Sequence, residues 1–353
     1  MKAMLSHKCQ KPRASVALFI FVPVALVLSV MAGILLGSAD LDVQTVFRVI
    51  GFKLGLQDAE NLKRSAISIV WELRLPRVLL AAAAGGGLAV AGAAMQAVTQ
   101  NVLADPYILG ASGGASSAVA LCFVLGGPIF TSGTSISASA FLGAMLSLLL
   151  VYSIGRVGSA GSGSRLVLAG MAVGMVLMAI TQFLLSVAKD AYTVRNIIAW
   201  TMGSLASARW NTLAFPFFGS IIGSMYFVLN ARAYNILSQG DETAAGLGVD
   251  VAKLKRVTIA VVSLITGVVV AAGGVIGFVG FIIPHIVRAM VGADHRRVFP
   301  LSFLMGGLFL TWMDILARTL FAPKELAVGM FAAFFGGPFF VWLLYRKNKY
   351  GRI

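Results

Sequence analysis

Charge is scarce in this sequence. Asp, Glu, Lys and Arg make up 12% of 353 residues, against about 25% in a typical soluble domain. With 59% apolar residues as well, a soluble enzyme is excluded. Cysteine is almost missing: Cys9 and Cys122 stand alone, so there is no disulfide scaffold. The three histidines, His7, His285 and His295, form no cluster with them, and no metal site is legible. No Gly-Lys dipeptide occurs, which removes the phosphate loop and, with it, that route to ATP hydrolysis. Acidic residues number only 13, and Asp314 alone lies well inside an apolar run. An ion-coupled carrier buries several ionisable groups along its pathway, so that class is poorly supported.

What the chain has instead is long apolar runs. A membrane-spanning helix needs about 20 apolar residues. Ten runs approach that length: 15–37, 78–98, 107–125, 138–155, 166–188, 211–230, 257–276, 277–291, 299–317 and 326–345. They are continuous rather than alternating, which excludes a β-barrel. The expectation is an all-α polytopic membrane protein with about ten spans, forming a single domain over 1–353. The seventh and eighth runs are contiguous, and Gly273-Gly274 and Gly277 are the break between them. The stretch 38–77 reads as an external loop, and 196–208 as a partial helix on the same side.

The formal charge of +15 is loop bias and needs no nucleic acid. Segments 1–14, 156–165, 231–256, 288–297 and 346–353 hold 17 Lys and Arg, and the opposite side holds 11. The 17 lie in short segments, which set topology, so both termini are expected in the cytoplasm. A faint repeat relates residues 77–81 to 256–260, with a proline 29 residues after Arg77 and 28 after Arg256. Those arginines fall on opposite sides, which gives inverted halves, a transporter architecture.

Five segments carry further pattern. In 71–77, Pro76 fits a first helical turn, with Arg74 and Arg77 at the membrane edge; they serve either as interface anchors or as receivers of acidic groups on an external partner. In 101–107, Asp105 can cap a helix opened by Pro106, which leaves Asn101 and Leu103 unexplained. Residues 161–165 are a small-residue turn, a linker or a narrow gate. In 240–249, Asp241 suits an N-cap, Glu242 a first turn and Gly248 a left-handed stop. This describes a short capped helix, either a connector or a grip for a cytosolic partner. In 277–288, Gly and Pro interrupt a helix, a feature tolerated where protein or water satisfies the backbone. Asp314 and Arg318 share a helical face, which reads as an ion pair near a span end, with a proton relay as the alternative.

Taken in order, 71–77, 101–110 with Gly113-Gly114, 164–170, 200–205, 240–248, 277–288 and 314–340 resemble the permease family that imports iron–siderophore complexes, haem and vitamin B12 in bacteria. The resemblance implies an ABC importer of two permeases, two cytosolic ATPases and an external substrate-binding protein, in the bacterial inner membrane. The second permease is expected to be another copy of this chain. No cofactor belongs to this chain, since ATP and magnesium would bind the ATPase. By position, Arg74, Arg77 and Arg318 match arginines that receive the binding protein. Asn101 and Leu103 match one cytoplasmic gate, and Gly163 and Ser164 another. Gly240, Asp241, Glu242, Leu247 and Gly248 match the coupling helices that dock on the ATPase. The chain departs from the family at Val102 and Ala327, commonly proline, and at Ala245, near which a basic residue is frequent. The competing readings are an ion-coupled secondary transporter of inverted-repeat type and an integral membrane enzyme, which lack the buried carboxylates or His/Asp/Glu cluster they need.

Overall fold

The computed structural model describes residues 12–39, 41–56, 58, 62–155 and 163–350. Most of the loop at 156–165, and the ends of both termini, lie outside them. The helices are α1 (Pro12–Leu35), α2 (Val43–Lys53), α3 (Arg64–Ile67), α4 (Leu75–Thr99), α5 (Ser112–Leu125), α6 (Gly127–Thr131), α7 (Gly133–Gly155) and α8 (Gly163–Ser186). There follow α9 (Ala191–Thr201), α10 (Trp210–Leu229), α11 (Ala231–Leu237), α12 (Asp241–Gly246), α13 (Val251–Gly273), α14 (Val279–Val291), α15 (His295–Thr319) and α16 (Val328–Tyr350). Among the described residues, seven helices are long and apolar enough to cross a membrane; shorter apolar helices at Leu109–Leu125, Val279–Val291 and Val328–Leu343 stand at the other three apolar runs.

Helix α4 is the centre. Its sequence is almost wholly Ala, Gly, Val and Leu, and nearly every residue is buried. A helix apolar on all sides belongs in the middle of a bundle. Its small side chains let neighbours approach closely, the main source of packing attraction where lipid removes the hydrophobic drive. Helices α10, α13, α14 and α15 pack around it. At the α4–α15 crossing, Gly85 faces Gly306 so closely that a Cβ on either would overlap the other's carbonyl oxygen. Gly114 of α5 and Gly143 of α7 meet in the same way. The packing also bears on the repeat. The second span lies on the ninth (α4 on α15), and the seventh lies on the fourth (α13 on α7). A shift of five spans relates the two pairs, and an odd shift inverts direction across a membrane.

Four expectations are corrected. Residues 38–77 are not a loop: α2 lies within them, and the second span's helix starts at Arg64, not at Pro76, running unbroken to Thr99. Pro76 has no N–H to donate and would crowd the carbonyl one turn back; a π-helical turn at Ser68–Arg74 widens the backbone just before it and carries the helix through. The partial helix expected at 196–208 is α9, which starts at Ala191, where Asp190 accepts Thr193 N–H at 2.8 Å, and ends at Thr201. The interruption expected across 277–288 is confined to 274–278, with Phe278 left-handed at φ 69°; Pro284 sits inside regular α14. The last span begins at Val328 rather than 326.

Candidate functional site

The candidate site residues fall at the two ends of α4, about 35 Å apart at 1.5 Å per residue. At the first end, a buried ionic cluster joins α4 to α15 and the turn before α16. Arg77 Nε donates to Asp314 Oδ1 at 2.9 Å, and its Nη1 to Glu325 Oε2 at 2.7 Å. Arg318 Nε lies 3.4 Å from Asp314 Oδ2, an ion pair without hydrogen-bond geometry, while its Nη2 donates to Gly33 O at 2.6 Å. Arg74 donates to the carbonyls of Ile34 and Leu35 in the last turn of α1 and of Ala39 beyond it. A cation there satisfies carbonyls that a helix end leaves open.

The structure thus brings Arg74, Arg77 and Arg318 together, as the sequence expectation requires, but 5%, 8% and 2% exposed. They form the floor of a depression of about 190 Å³ that is also lined by Ser38, Arg209 and Glu325. Arg209 is exposed; it and Glu325 were not singled out from sequence. Glu325 follows Lys324 in a short turn, which offers no signal that it reaches Arg77. Trp210 next door donates Nε1–H to Trp71 O at 2.7 Å and clamps α10 to the π-helical turn.

At the other end, Asn101 and Leu103 are placed in one tight turn: Asn101 Oδ1 accepts Leu103 N–H at 3.0 Å. Leu103 packs beside Phe281, Ile282 and Leu343. Asp105 Oδ1 accepts Tyr107 N–H at 2.8 Å, the cap the sequence suggested. Gly163 and Ser164 are the first residues of α8. Residues 156–162 of the loop before them lie outside the described residues.

Helix α11 ends beside that turn, where Gln100 Nε2 donates to Leu237 O at 3.2 Å, and α12 follows it. The N-cap of α12 is Gly240, not Asp241. Gly240 adopts φ 108°, ψ 153°, a region essentially closed to other residues, so no side chain can cap there. Asp241 opens the first turn with Glu242 and pairs with Lys255 of α13 at 2.5 Å. The C-terminus follows the expected stop: Gly248 has φ 84°, with Val249 N–H on Ala244 O and Gly248 N–H on Ala245 O, both 3.0 Å. These two bonds define a Schellman cap. Ala244 is buried beneath the helix, and Leu247 projects at 64% exposure. Helix α11 is braced in turn. Tyr234 Oη donates to Thr258 Oγ1 of α13 at 2.5 Å, and burial raises the Tyr234 hydroxyl's pKa. Asn235 Nδ2 donates to Asp294 Oδ1 at 2.6 Å, and Asn235 Oδ1 accepts His295 N–H at 2.8 Å.

The sequence matches the model of a known protein family over 25–346. The chain belongs to the FecCD transport family. It is 38% identical to the hemin transport system permease protein HmuU of Yersinia pestis over 283 residues, 79% of this chain and 84% of HmuU. It is 38% identical to the cobalamin import system permease protein BtuC of Halobacterium salinarum over 284 residues, 80% and 75% of the two chains. A solved structure, described as an inward-facing conformation of a metal-chelate type ABC transporter, superposes with a TM-score of 0.79 at 27% identity, covering 94% of this chain and 99% of that one. This FecCD-family chain is therefore a multi-pass membrane permease of the ABC-transporter type, and its role is transport rather than catalysis.

Proposed function

We propose that two copies of this chain form the translocation pathway of an ABC importer for a ferric siderophore, with haem and vitamin B12 as the alternative cargoes. Separate cytosolic ATPases hold the ATP and magnesium, and an external binding protein delivers the cargo. The complex sits in the bacterial cytoplasmic membrane with both termini inside, the side given by the excess of Lys and Arg in short segments. The observation that carries this reading is the α11–α12 unit. It is closed by a Schellman cap at its C-terminus, tied by Tyr234 and Asp241 to α13 and by Asn235 to the start of α15, and it presents Leu247 outward. Gly240, Asp241, Glu242, Leu247 and Gly248 then form the ATPase-coupling surface, and a push on it reaches two spans without being lost in loop motion. Asn101 and Leu103 gate the adjacent cytoplasmic end, with Gly163 and Ser164 as the second gate. Arg74, Arg77 and Arg318, with exposed Arg209, give the depression at the opposite end a basic floor for acidic side chains of the binding protein.

The test is uptake by proteoliposomes containing this chain with its ATPase and binding protein, offered a ferric siderophore, haem or cobalamin. ATP-dependent accumulation of the siderophore is expected, with a permease pair of one mass. Uptake of none of the three would sink the assignment of cargo, and a second, different permease in the complex would sink the homodimer. Replacing exposed Arg209 by Glu is expected to weaken binding-protein docking at low salt, with a smaller difference at high salt, where exposed charges are screened.

A further inference from the structure

Arg288 lies in the last turn of α14, partly buried at the end of the bundle that carries α12. Among the described residues it makes no ion pair. Its Nη2 donates to Gln96 Oε1, a neutral acceptor, and Gln96 is held in place by its own Nε2 on Gly280 O at 3.2 Å. A guanidinium carries five donors in a fixed fork. One amide oxygen does not match them, and a charge withdrawn from water is disfavoured unless it is paired and hydrogen-bonded. Position near a helix C-terminus suits the sign of the charge but does not saturate those donors.

The space beside Arg288 is a cavity of about 280 Å³, with Gln96, Gln100, Asn101, Ser238 and His295 among its walls and no acidic residue among the nine that line it. The acid in the adjoining turn, Asp294, is committed to Asn235 Nδ2 and to Arg296 N–H. Asn101 has its carbonyl oxygen occupied by Leu103 N–H, so the half it can offer a ligand is its NH₂. One guanidinium, the NH₂ of Asn101, no acids and an open mouth are the chemistry of an oxyanion receptor.

We propose that this cavity binds a phosphate group, carried by free phosphate or by an anionic lipid headgroup. Arg288 is the principal ligand and Asn101 contributes its amide. Basic pockets between spanning helices on the cytoplasmic side take such headgroups. Because Asn101 belongs to the turn before α5 and Arg288 to α14, an occupied site ties the two segments together. The inference stands apart from the choice of cargo and needs neither ATPase nor binding protein.

The experiment uses the full chain in delipidated detergent micelles. Inorganic phosphate is titrated against chloride at constant ionic strength, while hydrogen exchange is followed over residues 96–103 and 286–292. Phosphate is expected to slow exchange there at least threefold in the wild type and in Arg288→Lys, and to leave Arg288→Gln unchanged. A parallel arm places the chain in phosphatidylcholine nanodiscs with or without phosphatidylglycerol, in phosphate-free buffer; protection that appears only with phosphatidylglycerol identifies the lipid as the source. No protection in either arm overturns the proposal, as does equal protection of Arg288→Gln. Protection that appears only when the ATPase is added also overturns it, in favour of a partner carboxylate. Should Arg288→Gln not fold, Arg288→Lys against Asn101→Ala carries the comparison, the latter losing at least half of the effect.

Discussion

Asp314 is the residue on which the outer cluster turns. It faces Arg77 on one side and Arg318 on the other, and it is 0% exposed. Glu325 reaches the same Arg77 from a half-open position, with 35% of its side chain exposed. Removing one partner of a buried pair strands the other charge and costs about 3–5 kcal/mol, whereas a partly solvated pair is worth about 0–1 kcal/mol. Asp314→Asn is therefore expected to lower stability in detergent by the larger amount and Glu325→Gln by the smaller, as read from denaturant unfolding followed by tryptophan fluorescence. Similar losses for the two would contradict this account. Asp294 supplies a pH test. Partial burial alone would raise its pKa, but the Asn235 amide, the Arg296 N–H and the charges of Arg296 and Arg297 outweigh that and hold it below the ordinary value. A carboxyl depressed in the folded state lends stability that is complete above its unfolded pKa of about 4 and is lost as pH falls through the folded value. Below about pH 4 the wild type should lose unfolding temperature more steeply than Asp294→Asn; parallel curves would remove Asp294 from the acid response.

At the scale of elements, α12 makes the sharpest demand on its sequence. Gly240 and Gly248 both hold positive φ, at 108° and 84°, and a β-branched residue forced there costs about 1–3 kcal/mol. Asp241, by contrast, makes one half-exposed pair with Lys255, worth about 0–1 kcal/mol. Gly240→Val is expected to leave an assembled complex that hydrolyses ATP but transports several-fold less cargo per ATP, while Asp241→Ala stays near wild type. Normal coupling in Gly240→Val would show that the rigid helix is not the transmitter. The comparison also shows what the sequence revealed. The ten apolar runs are legible because hydropathy is a local property, and Gly248 because a helix stop is local too. The helix over 64–77 was hidden because Pro76 and its neighbouring charges imitate a loop, and a π turn that rescues a proline leaves no mark in composition. The burial of Arg77 was hidden because its partners stand 237 and 248 residues away. Gly240 was passed over as a cap because Asp241 beside it has the commoner capping chemistry.

Across the whole molecule, the bundle is held where bare backbone meets bare backbone, as at Gly85 against Gly306, Gly92 against Gly280 and Gly114 against Gly143. An alanine at Gly85 must push α15 away from the central helix, and overpacking of that kind costs about 1–3 kcal/mol. Gly174 on α8 has nothing within 4 Å of a built Cβ and no positive φ. There alanine gains about 0.5–1 kcal/mol of helix propensity. Thermal unfolding of the two variants in the same detergent should move in opposite directions, and a neutral Gly85→Ala would mean that the seam is looser than its geometry.

The unbroken helix from Arg64 to Thr99 spans 36 residues, about 54 Å at 1.5 Å per residue. A bilayer with its headgroups is about 40–45 Å thick. On the proposed topology, with Thr99 at the inner boundary and the helix along the bilayer normal, the far tip would stand about 10 Å clear of the headgroups, with Arg64 at the tip and Trp71 below it toward the cluster. That standoff exceeds the Debye length of about 8 Å in physiological salt. An approaching protein therefore first meets the field of the chain's own cations at this mast, with the potential of the lipid surface already decayed.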